Sequence, residues 1–185
     1  LTHAVEAYTN RWPNAETAFY SLSAVRMIFA NLPRAYANGD DLDAREAMAI
    51  ASCYAGLAFT KAYVGYVHAF SHALGGRYGP PHGLGNAITM PYALDFVKEA
   101  PWAQDRLAEL ALAIGAGQPI EPKVLLASRF IEHVRELSRT VGIPERLDAL
   151  KSDDIPALAR AAMIEAHRDY PVPRDMTLED AQALL

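Results

Sequence analysis

Apolar side chains in this chain return every three or four residues and never every second one. Ala18, Leu22, Val25, Phe29 and Leu32 mark one face of a helix, and Leu126, Phe130, Val134, Leu137 and Val141 mark another. Leu107, Leu110 and Ile114 give a shorter helix between Pro101 and Gly115. No run of alternating Val, Ile and Thr supplies a strand. The spacing therefore predicts an all-α fold, a helical bundle of about seven to nine helices.

Helix boundaries are marked by breakers and caps. Pro13 separates the first helix from the second, Asn38-Gly39 closes the second, and Asp41 is a good N-cap for the third. Gly115 to Pro122 and Gly142 to Pro144 read as loops, and Asp169 to Arg174, with two prolines, as extended. Thr177 caps a last helix, with Asp180 three residues on as a weak capping box. From Ala47 to Phe59 the third helix is apolar on all sides and carries Ala49, Ala51, Ala55, Gly56 and Ala58, which predicts a helix buried all round. The only cysteine, Cys53, lies in that run and is expected to be a buried structural thiol. One thiol makes neither an internal disulfide nor a cysteine zinc site, which points to a reducing, cytoplasmic setting.

The chain has 185 residues, 51% hydrophobic and 21% charged, so residues 1–185 suffice for one globular domain or a large piece of a two-domain protein. Its net charge of -5 and lack of a basic stripe argue against nucleic acid and anionic membranes as partners. The longest apolar stretch is too short to span a bilayer. The chain opens without Met at "LTHAVEAY", which reads as the inside of a helix and predicts further sequence upstream.

Three of the six histidines fall within "VHAFSHALGGRYGPPHG". His68 and His72, four apart, project from one face if Val64 to Leu74 is helical, about 6 Å apart along the axis. Gly75-Gly76 is expected to stop that helix and Gly79-Pro80-Pro81 to turn the chain, so that His82 faces back toward the pair. Spacing leaves two readings open: a divalent metal shared by these imidazoles, or a hydrogen-bonded histidine pair in a core. The glycines do not make a phosphate loop, because no strand precedes them and no Lys-Ser/Thr follows. Taken alone, His3 reads as an ordinary surface or interface histidine. His133 and His167 have charged neighbours and read as solvated.

"LTHAVEAY", "GYVHAFSHALGGRYGPPHGLGNAITMPYAL" and "PRDMTLEDAQALL" together resemble the iron-containing (group III) alcohol dehydrogenases, in that family's order and across essentially the whole chain. The resemblance implies an N-terminal α/β domain that binds NAD(P), lying outside this chain, and a C-terminal helical domain that holds a divalent metal, Fe(II) or Zn(II). It implies metal ligands at His3, His68 and His82, with a fourth, an aspartate, falling just before Leu1. His72 matches a histidine that does not ligate but faces nicotinamide and substrate, so the resemblance displaces His72 from the metal set that spacing alone suggests. Tyr92 stands where many members have histidine, and "YPVPRD" is looser than the usual element; both bear on substrate preference.

The expected function is the metal-binding half of an NAD(P)-dependent alcohol dehydrogenase, acting on a small alcohol or aldehyde and forming a homo-oligomer. By itself the chain is expected to be inactive and to bind no nucleotide. A face near "ITMPYAL" is expected to be exposed and apolar where the other domain docks. The rival readings are a related enzyme of the glycerol dehydrogenase, maleylacetate reductase or dehydroquinate synthase type, and a helical module that binds metal or a partner without chemistry.

Overall fold

The computed structural model describes residues 1–185. Nine α-helices and one 3-10 turn make the fold, and no strand is present. They are α1 (Thr2–Thr9), α2 (Ala15–Ala37), α3 (Leu42–Ala62), α4 (Tyr66–Tyr78), α5 (His82–Val97), α6 (Pro101–Ala113), α7 (Lys123–Thr140), α8 (Ile155–Asp169) and α9 (Leu178–Leu184), with the 3-10 turn at Ser152–Asp154 before α8.

The caps follow the sequence closely. Asn14 accepts from the Thr17 amide and donates its own to the Thr17 hydroxyl, a capping box. Asp41 caps α3 through the Ala44 amide, and Thr177 with Asp180 forms the reciprocal pair that opens α9. Each pairing satisfies amides that the first helical turn leaves without partners.

α2 packs along α3, α6 along α7, and α4 against both α5 and α8, around one continuous apolar core. Phe130, Leu107, Leu110, Leu126, Ile131 and Val134 are fully buried at the α6–α7 end. Burying such a side chain contributes about 1.5–3 kcal/mol. α1 lies where the other elements meet, and its residues Ala4 to Thr9 are all buried. Its end is clamped on two sides: the Trp102 indole donates to the carbonyls of Thr9 and Asn10, and the Asn10 amide donates to those of Ala62 and Val64.

Between α3 and α4 the axis bends by 101°. The bend sits at Tyr63, the only non-glycine residue with positive φ (φ 62, ψ -173). That conformation is almost confined to glycine and costs about 1–3 kcal/mol for any other residue. No single helix is long and apolar enough to cross a membrane.

Four local expectations are corrected. α3 is not buried all round: only its stripe of small residues, Ala44, Ala51, Ala55, Ala58 and Ala62, faces α1 and α2, while Ile50 and Leu57 look outward. Small side chains on one face let the neighbouring helices approach closely, so that face alone satisfies the packing. Cys53 lies on the outward face and is exposed, not a buried thiol. α4 runs through Gly75-Gly76 and stops at Gly79, because a left-handed residue (φ 68) is what ends it, just ahead of Pro80. "ITMPYAL" is buried apart from Tyr92; the large exposed apolar side chains include Phe19, Leu42, Ile50 and Leu57 of α2 and α3.

Candidate metal centre

Three helices bring histidines to one place. α1 contributes His3 from its first turn, α4 contributes His68, and α5 begins at His82 directly after the Gly79-Pro80-Pro81 turn. The ligand nitrogens of His3, His68 and His82 lie within 4.8 Å of one another. His3 is sandwiched between Phe59 of α3 (ring centroids 4.2 Å apart) and His68 (4.6 Å), which fixes its plane. The close approach of α4 and α5 depends on Gly85: a Cβ there would come within 2.6 Å of the Ser71 hydroxyl, which itself donates to the His82 carbonyl.

Hydrogen bonds set which ring nitrogen faces the centre. The Nδ1 of buried His68 lies 2.5 Å from Glu6 Oε2, so Nδ1 carries the proton and Nε2 the lone pair. The Nδ2 of Asn86 lies 3.0 Å from His82 Nε2 and 3.4 Å from His68 Nε2, a donor that faces two acceptors. Two imidazole lone pairs thus converge on one point, with His3 beside them.

Burial above all, and then the neighbouring His68, push His3 down from the usual histidine value to about 4. His82 is lowered as well, by burial and by His68 and His72. Both shifts favour the neutral ring, the form that ligates a metal. Three nitrogens each about 2.1 Å from one ion lie about 3.4–3.6 Å apart, so closure by about 1.2–1.4 Å at most brings this set to bonding distance. Three imidazoles suit Fe(II) or Zn(II). The donor set fits a divalent ion.

His72 lies one turn from His68 and outside the converging set. Its ring stacks on that of His82 at 5.1 Å, and its Nδ1 is 2.7 Å from Glu165 Oε1. The Tyr170 hydroxyl donates to the same Glu165 oxygen. That bond and burial together raise the Tyr170 pKa, burial having the larger effect. The i, i+4 pairing of His68 with His72 therefore sets two rings side by side but turns only one into the centre. His133 Nδ1 bonds the Arg129 carbonyl within its own helix, and the exposed His167 ring reaches the Tyr66 hydroxyl.

Comparison with known proteins decides the family. A model of the Fe-containing alcohol dehydrogenase family, C-terminal, matches residues 1–185. The chain belongs to that family. Among iron-containing alcohol dehydrogenases and their kin, it is 39% identical over 188 residues to "Alcohol dehydrogenase 4" of Saccharomyces cerevisiae, covering 100% of this chain and 47% of that protein. It is 33% identical over 187 residues to the "NAD-dependent methanol dehydrogenase" of Bacillus methanolicus, covering 100% and 48%. The crystal structure of a 1,3-propanediol oxidoreductase superposes with a TM-score of 0.93 at 35% identity, over 99% of this chain and 48% of that one. The all-α fold is thus that of iron-containing alcohol dehydrogenase C-terminal domains. The chain spans about half the length of the curated relatives it matches.

Five residues around the centre escaped the sequence reading. Glu6 sits three residues after His3, on the same helical face, and Asn86 sits four after His82; helical spacing from a candidate ligand would have found both. Phe59, Glu165 and Tyr170 come from α3, α8 and the segment after α8, and no local pattern links them to the histidines.

Proposed function

We propose that this chain is the metal- and substrate-binding half of an NAD(P)-dependent alcohol dehydrogenase, with His3, His68 and His82 as metal ligands and His72 as the group that handles the alcohol proton. The observation that carries the reading is the convergence of three imidazoles from three helices, with the proton of His68 held on the far side by Glu6. In this reading the rest of the protein supplies nucleotide binding and an aspartate ahead of Leu1 as the fourth ligand. The assembled enzyme is a cytoplasmic homo-oligomer that acts on small alcohols or aldehydes.

When bound, a divalent ion at this site supplies Lewis acidity toward an alcohol oxygen, and the nicotinamide accepts the hydride. The remaining work falls to the chain's own side chains. Glu165 accepts a hydrogen bond from His72 Nδ1–H, which keeps that proton on Nδ1 and leaves Nε2 as the basic nitrogen. His72 Nε2 takes the proton from the substrate hydroxyl, and the imidazolium that forms is stabilised by Glu165, which Tyr170 holds in turn. The His72 side chain is 43% exposed, so the proton can leave to water. Phe59 keeps the His3 ring in one plane, and Asn86 donates into the centre.

The test is an assay of the full-length protein, metal-stripped and reloaded with Fe(II) or Zn(II), against NAD+ and NADP+ with a series of short alcohols. Metal-dependent reduction of the nucleotide is expected. Nucleotide-linked activity that survives complete metal removal would sink the reading.

A further inference from the structure

Glu6 is the most deeply placed carboxylate in the molecule, 4% exposed, yet it touches no cationic Lys or Arg. Both of its oxygens are engaged by one short stretch of α4. Oε2 accepts a hydrogen bond from His68 Nδ1–H at 2.5 Å, and Oε1 accepts one from the Val67 backbone N–H at 2.7 Å. Gly65, the N-cap residue of α4, has no side chain to cap the helix, so the amide that a local cap would satisfy is satisfied from α1 instead. Gly65 also makes room for the carboxylate: a Cβ there would lie 3.0 Å from Glu6 Oε1 and 3.1 Å from Asn10 Oδ1. A carboxylate at a helix N-terminus is favoured by the partial positive charge of the free amides.

One side chain therefore does two things at once. It ties α1, which carries His3, to the first turn of α4, which carries His68. It also selects the tautomer of His68. We propose that Glu6 is a positioning residue for the metal centre, fixing His68 with its Nε2 lone pair inward and setting the separation of His3 from His68. This rests on the metal-centre reading above. A carboxylate behind a ligating imidazole raises its basicity and locks its orientation, and loss of such a partner typically costs about 10–100-fold in metal affinity.

Glu6→Gln separates the two tasks. The amide is nearly isosteric but has a single acceptor oxygen, so it can serve the Val67 amide or the His68 Nδ1 proton, not both. If its NH2 faces His68, the ring proton moves to Nε2, into the position where the ion would bind. Three measurements on the full-length protein decide the matter: zinc affinity by competition titration, the visible spectrum of the Co(II) form, and the 15N shifts of labelled histidine rings in the metal-free protein. Wild type is expected to show His68 with the proton on Nδ1. The variant is expected to bind zinc about 10–100-fold more weakly, with a changed Co(II) spectrum. Should the Gln variant fail to fold, Glu6→Asp keeps the charge but shortens the arm by one methylene; a loss of tenfold or more is expected there too. Wild-type protein that binds zinc while either folded variant binds it equally well overturns the Glu6 proposal and leaves the metal centre standing. Wild-type protein that takes up no zinc while His68 shows the Nδ1 proton overturns the metal centre and leaves the Glu6–His68 contact standing.

Discussion

Around Phe130, α6 and α7 meet through Leu107, Leu110, Leu126, Ile131 and Val134, side chains without a polar atom. Around His68, α1, α4 and α5 meet through Glu6, Ser71, Asn86 and Thr89, every one of them at most 5% exposed. The first region coheres because apolar area leaves water, with no particular polar partner required. The second coheres because its polar atoms, Asn86 Oδ1 excepted, are each satisfied by a particular neighbour, so a change at one member leaves another without its partner. The apolar end thus carries stability, and the polar end carries geometry.

The most forceful way to break that division is to cross it. Phe130→Ala should destabilise the fold by about 3–5 kcal/mol through the cavity it opens, while the molecules that remain folded keep their full metal content. Denaturant titration paired with metal analysis checks both halves; loss of metal from the folded fraction would mean that the two regions are not separable. His72→Ala sharpens the comparison within the polar region itself. Turnover of the full-length enzyme should fall about 10²-fold or more, with metal content near normal, whereas His68→Ala, one turn away, should strip the metal. If His72→Ala strips the metal and His3→Ala does not, the assignment of the ligands is wrong.

A smaller effect is expected at the α4–α5 contact. Gly85→Ala places a Cβ against the Ser71 hydroxyl and should cost about 1–3 kcal/mol, with a further loss of zinc affinity as the two helices part. Affinity equal to that of wild type would show that the helices can move without moving the histidines.

Mild acid should act on the polar region through His3. His3 is depressed in the folded state, so the unfolded chain binds protons that the folded chain refuses. In the metal-free protein the His3 contribution should be at its full value above about pH 6.5 and be progressively lost as the pH falls toward 4, the value to which His3 is depressed. His3→Gln should flatten that slope in a series of melting curves. The smallest effect belongs to Cys53→Ser on the outward face of α3, which should stay within about 0.5 kcal/mol of wild type.

Much of the fold could be read from the chain because helix periodicity and capping are local. Asp41, Asn38 and Thr177 punctuate the helices at the positions their chemistry suggests. The orientation of α3 could not be read so easily: its apolar residues run all round, and only the packing of the alanine stripe on α1 and α2 decides which of them face inward. The stop at Gly79 instead of Gly75 has a similar cause, since a glycine ends a helix only where the backbone turns left-handed. At the centre, spacing favoured His68 with His72, and only a resemblance brought in His3, 65 residues away in sequence. Glu165 and Tyr170 flank His167 and lie far along the chain from His72, so nothing local ties them to the centre; their link to His72 is made by tertiary packing alone.

The turn at Tyr63 has a consequence for how such a protein responds to selection. Its backbone sits where glycine would rest without strain, two residues ahead of the glycine that admits Glu6. Tyr63→Gly should relieve that strain, yet it would also remove the ring that packs edge-on against Trp12 and free the hinge that aims α4. A screen that rewards heat resistance alone can favour the relaxed hinge, while a screen that rewards turnover favours the tense one. Libraries varied at position 63 and sorted both ways should therefore diverge, and the point of divergence would measure how much rigidity the aim of one helix requires.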